Sequence, residues 1–369
     1  MKILPWEGST VFPALCATLL AWRKSAPDTR DLPWRDEPTP YHVWISEIML
    51  QQTRAAVVRS YYLRFLEVLP SVRDLADVDD DALMKLWQGL GYYSRARNLK
   101  RAAEVIVEKH DGQLPKDVDA LLALPGIGRY TASAIASFAY GQPRPAVDGN
   151  FLRVAARVTA NPIDIAKDTS KRALETALAP SYPSGRDAGL LNEAFMDLGA
   201  TVCLPNGAPL CHVCPATRLC LAHDRGTEQD YPVKTALKAR RKERRTVLLL
   251  SCGEEIAIRK RPARGLLAGL WEYPNLDGKL SKRAVRAHLE AEGYHILDIA
   301  PLPPARHIFT HIEWNLTGWA VSVAERNEPP LMAAEEMDGA PAPLLWVRRE
   351  ELTDKYSIPA AFGYFTPQD

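Results

Sequence analysis

Four of the chain's six cysteines fall within 18 consecutive residues, spaced Cys203-x7-Cys211-x2-Cys214-x5-Cys220, and this cluster constrains the fold more tightly than any other feature. The loops between them are short, so the four thiolates can close around one centre, either Zn2+ or a 4Fe-4S cube. Two-knuckle zinc folds pair CxxC with CxxC, and a single CxxC is present, so the spacing favours the cube. A disulfide framework suits short secreted chains, whereas 369 residues leave room for a real core. The longest apolar stretch near the N-terminus, Phe12 to Trp22, is short of the roughly 18 residues of a membrane span and runs into Arg23-Lys24. Neither a membrane span nor a signal peptide is expected, and a reducing, cytoplasmic location follows. Lys and Arg total 46 against 45 Asp and Glu, a net charge of +1, so any nucleic-acid partner must be met by local positive charge.

From Ser9 to about His223 apolar residues recur at spacings of three and four, and this half reads as all-α. Ser9 or Thr10 can cap a first helix with Phe12, Leu15, Cys16, Leu19 and Leu20 on one face. Further helices fit Tyr41 to Leu69, Asp80 to Trp87, Ser94 to Lys109, Gly128 to Ala139, Gly149 to Thr159, Thr169 to Leu178 and Asp187 to Cys203. Between Lys234 and Arg245 seven basic residues meet one acidic residue with no clear apolar stripe, the texture of a tether or of a phosphate-contacting segment. From Thr246 short strand-like runs take over, at Thr246 to Ser251, Ile256 to Lys260, Leu270 to Tyr273, His307 to Ile312 and Leu316 to Val323. With one helix at Ser281 to Glu292, this half reads as α+β. The expected organisation is a helical domain over 1–230, a basic linker over 231–245 and a second domain over 246–369.

Four further segments can carry chemistry. Leu124-Pro125-Gly126-Ile127-Gly128-Arg129-Tyr130-Thr131 places two glycines in a tight turn between helices, where outward N–H groups and a helix N-terminus suit a phosphate or simply close the turn. In Val147-Asp148-Gly149-Asn150, Asp148 is a helix N-cap that can face a cleft at the same time. Trp44, Glu47, Ile48 and Gln51 share one helical stripe, which sets a carboxyl group among large apolar side chains where desolvation raises its pKa, as a general acid requires; a surface Glu is the simpler alternative. Gln88-Gly89-Leu90-Gly91-Tyr92-Tyr93-Ser94-Arg95 forms an apolar and aromatic tip suited to wedging between bases or to packing as a buried turn.

Taken in order, these segments resemble the helix-hairpin-helix base-excision glycosylases with an iron-sulfur loop, and among them the adenine DNA glycosylases of the MutY type. The similarity spans about Leu32 to Cys220 and rests on Leu32-Pro33-Trp34-Arg35, Ile45 to Thr53, Gly89 to Tyr93, Val147 to Asn150 and Asn192-Glu193-Ala194. The C-terminal half is similar to the Nudix-like domain of those proteins through Arg261 to Pro274 and His307-Ile308-Phe309-Thr310-His311. The resemblance implies an all-α helix-hairpin-helix glycosylase domain with an iron-sulfur loop at 203–220, followed by an α+β Nudix-like domain. Bifunctional members carry a lysine where Tyr130 stands, and its amine forms a Schiff base; Tyr130 therefore implies a monofunctional enzyme in which it orients Asp148 or the sugar. No Glu-rich Nudix helix is present, and Ser281 to Glu292 offers too few aligned carboxylates for Mg2+, so pyrophosphatase activity is not expected.

The implied reaction is flipping and hydrolysis of adenine opposite 8-oxoguanine or guanine in double-stranded DNA held between the two domains, by a monomer that is nucleoid-associated if the source is bacterial. On family positions Glu47 protonates the departing base and activates water, and Asp148 stabilises or traps the oxocarbenium-like sugar. Asn150 positions the water or Asp148, and Arg35 and Glu193 hold the adenine and the acid. Gln52, Leu90 and Tyr92 fill the disrupted stack. Gly126 and Gly128 serve the phosphate turn, while Phe309, Thr310 and His311 meet 8-oxoguanine. Cys203, Cys211, Cys214 and Cys220 hold one 4Fe-4S cluster. Two positions depart from the pattern: Thr310 stands where the family usually has Ser, and the first cysteine spacing is seven residues rather than six. The rival readings are an endonuclease III-like lyase for oxidised pyrimidines and a catalytically silent lesion binder.

Overall fold

The computed structural model describes residues 6, 10–25, 30, 32–236, 239–326 and 342–366. The chain forms two compact units, one of Met1–Asp77 with Asn98–Ala236 and the other of Val78–Arg97 with Leu237–Asp369. In chain order the helices up to the end of the cysteine loop are α1 (Phe12–Ser25), α2 (Pro40–Leu50), α3 (Ala55–Val68), α4 (Val72–Asp77), α5 (Asp80–Leu86), α6 (Ser94–His110), α7 (Val118–Leu122), α8 (Arg129–Ala134), α9 (Gly149–Val158), α10 (Asp168–Leu178), α11 (Arg186–Thr201) and α12 (Leu221–Asp224). Side-chain caps start several of them. Thr39 accepts from His42 N, Asp79 from Asp81 N and Ala82 N, and Asp117 from Ala120 N, each satisfying donors that the first turn leaves unpaired.

The helical core forms where α1, α9 and α11 meet. Phe151 and Phe195 stack at 4.3 Å with their rings 16° apart, inside a fully buried set that includes Leu15, Leu19, Leu191 and Ala155. Burying each of these phenylalanine and leucine side chains contributes about 1.5–3 kcal/mol. The helix expected over Tyr41 to Leu69 is broken in two, because Gln51 leaves helical geometry at ψ 112° and Gln52 turns left-handed at φ 58°. Apolar periodicity continues across the break, and that continuity hides it. The helix expected over Gly128 to Ala139 changes to a π turn at Ile135–Ala139. Of the two capping candidates for α1, Ser9 lies outside the described residues. Among the described residues no helix is long and apolar enough to cross a membrane.

The second unit is built on β1 (Arg241–Cys252), β2 (Glu255–Lys260), β3 (Trp271–Glu272), β4 (Asn275–Asp277), β5 (Ile296–Ile308), β6 (Ile312–Val323) and β7 (Leu345–Arg348). The strands run in the order β3-β2-β1-β6-β5, with β4 on β1 and β7 on β2. β1 and β6 pair in parallel, and the remaining pairs are antiparallel. Period-two alternation sends Val247, Ile258 and Trp314 to one face and Leu248, Ala257 and Val321 to the other. Helix α13 (Lys282–Ala291) covers the second face with Val285 and Leu289, while α15 (Ala360–Gly363), following α14 (Arg349–Lys355), covers the first with Phe362.

Three expectations change here. The segment expected as a linker over 231–245 is already strand from Arg241, because its backbone pairs with Ile312 to Leu316, and that pairing asks for no apolar side chains. The run His307 to Ile312 is not one strand but the hairpin joining β5 to β6. The stretch 78–97, expected in the first domain, packs with the sheet unit. Lys260 Nζ meets Asp81 at 2.8 Å, Gln88 Nε2 donates to Ile358 O at 3.0 Å, and Arg97 donates to Ala268 O at 2.6 Å.

Candidate active site

The helical unit contains a cleft of about 930 Å3 lined by Arg35, Glu47, Gln52, Gly126, Gly128, Tyr130, Asp148, Asn150 and Glu193, among others. Elements far apart in sequence are thereby brought to one place. Glu47 comes from the last turn of α2 and is 5% exposed, beside the buried Trp44, Ile45 and Ile48. Burial pushes its pKa up to about 7, with the Asp148 charge adding to the rise, while a hydrogen bond from Tyr130 and the Arg35 charge oppose it. Among the described residues its Oε2 has no hydrogen-bond partner. Tyr130 therefore engages Glu47, where the sequence pointed to Asp148 or the sugar.

Asp148 caps α9 and faces the cleft as well. Its Oδ1 accepts from Asn150 N at 2.8 Å and Phe151 N at 2.9 Å, and its Oδ2 accepts from Asn150 Nδ2 at 2.7 Å. Burial raises its pKa, but those three hydrogen bonds and the nearby Arg153 favour the ionised form. Arg153 donates to Asn150 Oδ1 at 2.8 Å, to Gly199 O at 2.7 Å and to Cys203 O at 2.8 Å. A Cβ at position 199 would come within 2.5 Å of Asn150 Cβ, so glycine there is what admits the Asn150 side chain. Gly126 plays the same part in the hairpin: its φ is 77°, and a Cβ would lie 2.6 Å from Asn98 Cβ. Gly128 is the N-cap of α8.

Glu193 and Arg35 join a compact charge cluster. Glu193 Oε2 accepts from Arg23 at 2.7 and 3.0 Å and its Oε1 lies 3.8 Å from Arg35. Asp197 accepts two bonds from Arg35, at 2.8 and 3.0 Å, and one from Arg30 at 2.7 Å. Sequence reasoning misses Arg23, Arg30, Asp197 and Arg153. For Arg153 and Arg157 a signal exists, since both are buried in a helix whose other buried residues are Phe151, Leu152, Val154, Ala155, Ala156 and Val158. Two arginines one turn apart on an apolar helix need partners, and a long-range partner is the usual answer.

The remaining recognition candidates are gathered in the other unit. Leu90, Tyr92, Phe309, Thr310 and His311 line a cavity of about 530 Å3, where the Tyr92 and Thr310 hydroxyls are 2.7 Å apart. Tyr92 is 45% exposed with φ 48°, and Thr310 and His311 are exposed. Leu90 differs from the expected projecting tip: it is 5% exposed, because Arg95 donates to Leu90 O and Gly91 O, both at 3.0 Å, and folds the turn inward. Phe309 packs edge-on against His307 and Trp314.

Cys203, Cys211, Cys214 and Cys220 line one small cavity in the helical unit, together with Arg157, His223 and Glu228. Arg157 Nη1 lies 3.2 Å from Cys203 Sγ. Four converging thiols with a guanidinium donor fit an anionic metal-thiolate centre. The seven-residue first spacing is absorbed outside the cavity: Leu204 N and Leu210 N both donate to Val202 O, at 3.0 and 2.9 Å, while Pro205 to Ala208 are exposed.

Comparison with known proteins agrees with this architecture. A family model described as HhH-GPD superfamily base excision DNA repair protein matches residues 45–180, and a NUDIX domain model matches residues 245–365. The human "Adenine DNA glycosylase" is 33% identical over 398 residues, covering 92% of this chain and 71% of the relative. The rat protein of the same name is 34% identical over 391 residues, covering 90% and 73%. A solved thermostable thymine-DNA glycosylase superposes with a TM-score of 0.50 at 29% identity, covering 58% of this chain and 97% of that one.

Proposed function

Because the chain belongs to the adenine DNA glycosylase family, we propose that it excises adenine mispaired with 8-oxoguanine, or with guanine, from duplex DNA by hydrolysing the glycosidic bond. The observation that carries this reading is the pair Glu47 and Asp148 on one cleft, the first raised to about 7 by burial and the second, also raised by burial, held by three hydrogen bonds that favour its ionised form. Such a pair is what glycoside hydrolysis uses. A base stacked in a duplex cannot reach a cleft among helices, so it is flipped out. Glu47, carrying its proton near neutral pH, protonates the departing adenine and then activates water, while Asp148 stabilises the cationic sugar. Tyr130 holds Glu47 in place, Asn150 holds Asp148, and Glu193 with Arg35 orients the base.

Tyr130 occupies the position where an amine would form a Schiff base, which supports a monofunctional enzyme. Lys171 also lines the cleft, so lyase chemistry is checked directly. Cys203, Cys211, Cys214 and Cys220 would hold a 4Fe-4S cluster, which when bound ties the loop after α11 together; iron and sulfide analysis of the purified protein tests this. Thr310, with Tyr92, would read the base opposite adenine.

The test uses excess protein and end-labelled duplexes holding adenine opposite 8-oxoguanine, guanine or thymine, with and without alkali. Strand breaks that need alkali and form fastest opposite 8-oxoguanine are expected. Breaks without alkali, with borohydride trapping, would establish a lyase instead, and tight binding with no breaks would leave only a lesion binder. In the same assay Thr310→Ala should lower the preference for 8-oxoguanine over guanine about tenfold, from loss of one hydrogen bond of about 1.4 kcal/mol. Unchanged preference would move that recognition elsewhere.

A further inference from the structure

Asn192 stands beside Glu193 on α11 but points the other way. It is fully buried, and all four of its hydrogen-bonding positions are used. Its Oδ1 accepts from Ala146 N at 2.8 Å and from the Tyr182 hydroxyl at 2.5 Å. Its Nδ2 donates to Ser137 Oγ at 2.7 Å and to Arg144 O at 3.1 Å. The amide orientation is determined by its partners, since Ala146 N–H can only donate and Arg144 O can only accept.

Those partners lie on the elements that build the cleft. Ser137 sits in the π turn that continues α8, and the first turn of α8 carries Tyr130. Ala146 is two residues ahead of Asp148, at the end of the connection from that π turn to α9. The π turn itself packs on α2, the helix that carries Glu47. One side chain thus ties the element holding Tyr130 and supporting Glu47 to the backbone that delivers Asp148. A hydrocarbon of similar volume would fill the same space without the desolvation cost of an amide, and a fully satisfied buried polar group specifies geometry where an apolar one does not.

We propose that Asn192 is a positioning residue for excision: it fixes Arg144 and Ala146 against the π turn and so sets the placement of Asp148 relative to Glu47. This rests on the excision reading above. Asn192 is fully buried and does not line the cleft, so its loss slows the bond-breaking step and leaves duplex binding alone.

The experiment measures single-turnover adenine release and duplex affinity for wild type, Asn192→Leu and Ser137→Ala, with rates expressed per active site by titration. Misplacement of a catalytic group by about 1 Å costs about 10²-fold. Asn192→Leu is expected to lose about that much rate, with duplex Kd changed less than about threefold, a kcat-type loss. Ser137→Ala removes one of the four bonds and is expected to lose about tenfold. It carries the test if Asn192→Leu does not fold. Rates per active site within about twofold of wild type in every folded variant would overturn the proposal, even if melting temperatures fall, because that pattern belongs to a purely structural residue. Failure of wild type to release adenine would overturn the functional reading instead.

Discussion

Glu47 and Asp148 are the same chemical group facing the same cleft, yet they arrive from opposite ends of their helices. Glu47 projects from the last turn of α2, where the carbonyl end of the helix repels a negative charge, and its Oε2 has no hydrogen-bond partner among the described residues. Asp148 stands at the N-cap of α9, where two backbone N–H groups and the Asn150 amide point at it. Burial raises the pKa of both, and three hydrogen bonds oppose that rise at Asp148 where one from Tyr130 opposes it at Glu47. On the proposed roles, the difference would let helix direction help divide acid from charge stabiliser without any change of side-chain chemistry.

The strongest way to break the comparison is Glu47→Gln. Glutamine keeps the volume and can still accept from Tyr130, but it has no proton to give. Loss of a general acid costs about 10²–10⁴-fold, so single-turnover excision should fall by about 10³-fold, with duplex affinity retained. A variant that excises at near-normal rate would remove Glu47 from the role of acid and leave the two carboxylates functionally alike.

Much of this contrast is legible in the amino-acid sequence. The stripe Trp44, Glu47, Ile48 and Gln51 puts a carboxyl group among apolar neighbours, and Asp148 ahead of Gly149-Asn150 reads as a cap. Both signals are local, carried by spacings of three and four or by a cap two residues from its partner. What is not legible depends on residues far apart in the chain. Asp197 meets Arg35 across 162 positions, and Asn192 meets Ser137 across 55. No periodicity encodes such pairings. The break at Gln51-Gln52 is hidden because apolar spacing runs on through it, and the start of β1 is hidden because its exposed end is basic. The glycines flanking Leu90 suggest a projecting tip, but composition does not reveal the Arg95 guanidinium that folds the turn inward.

A second test reads the comparison through stability. The folded pKa of Glu47, about 7, is raised above its usual value of 4.5 by burial. The folded protein therefore retains a proton that the unfolded chain has released between pH 4.5 and 7, and stability falls as pH rises through that window. Above it the ionised, buried Glu47 costs roughly 3 kcal/mol. Glu47→Gln should remove that cost. Its melting temperature should match wild type near the acid end of the window and exceed it at pH above about 8. Equal stability at both ends would mean that Glu47 is solvated in the folded protein.

The smallest expected effect sharpens the comparison most. Asn is as good an N-cap as Asp, so Asp148→Asn keeps an acceptor for Asn150 N and Phe151 N. It loses the bond from Asn150 Nδ2, worth about 1 kcal/mol, because that amide's own oxygen is already taken by Arg153. Removing a buried charge offsets part of this, since burial raises the Asp148 pKa as well. The net change should stay within about 1 kcal/mol at pH above about 8, well below the gain expected from Glu47→Gln, as chemical denaturation of both variants would show. If Asp148→Asn instead stabilised the protein as much as Glu47→Gln does, the N-terminus of α9 would not be dispersing the charge. Both carboxyl groups would then titrate as buried acids, and the division of labour between them would have to come from the bound substrate rather than from the helices that present them.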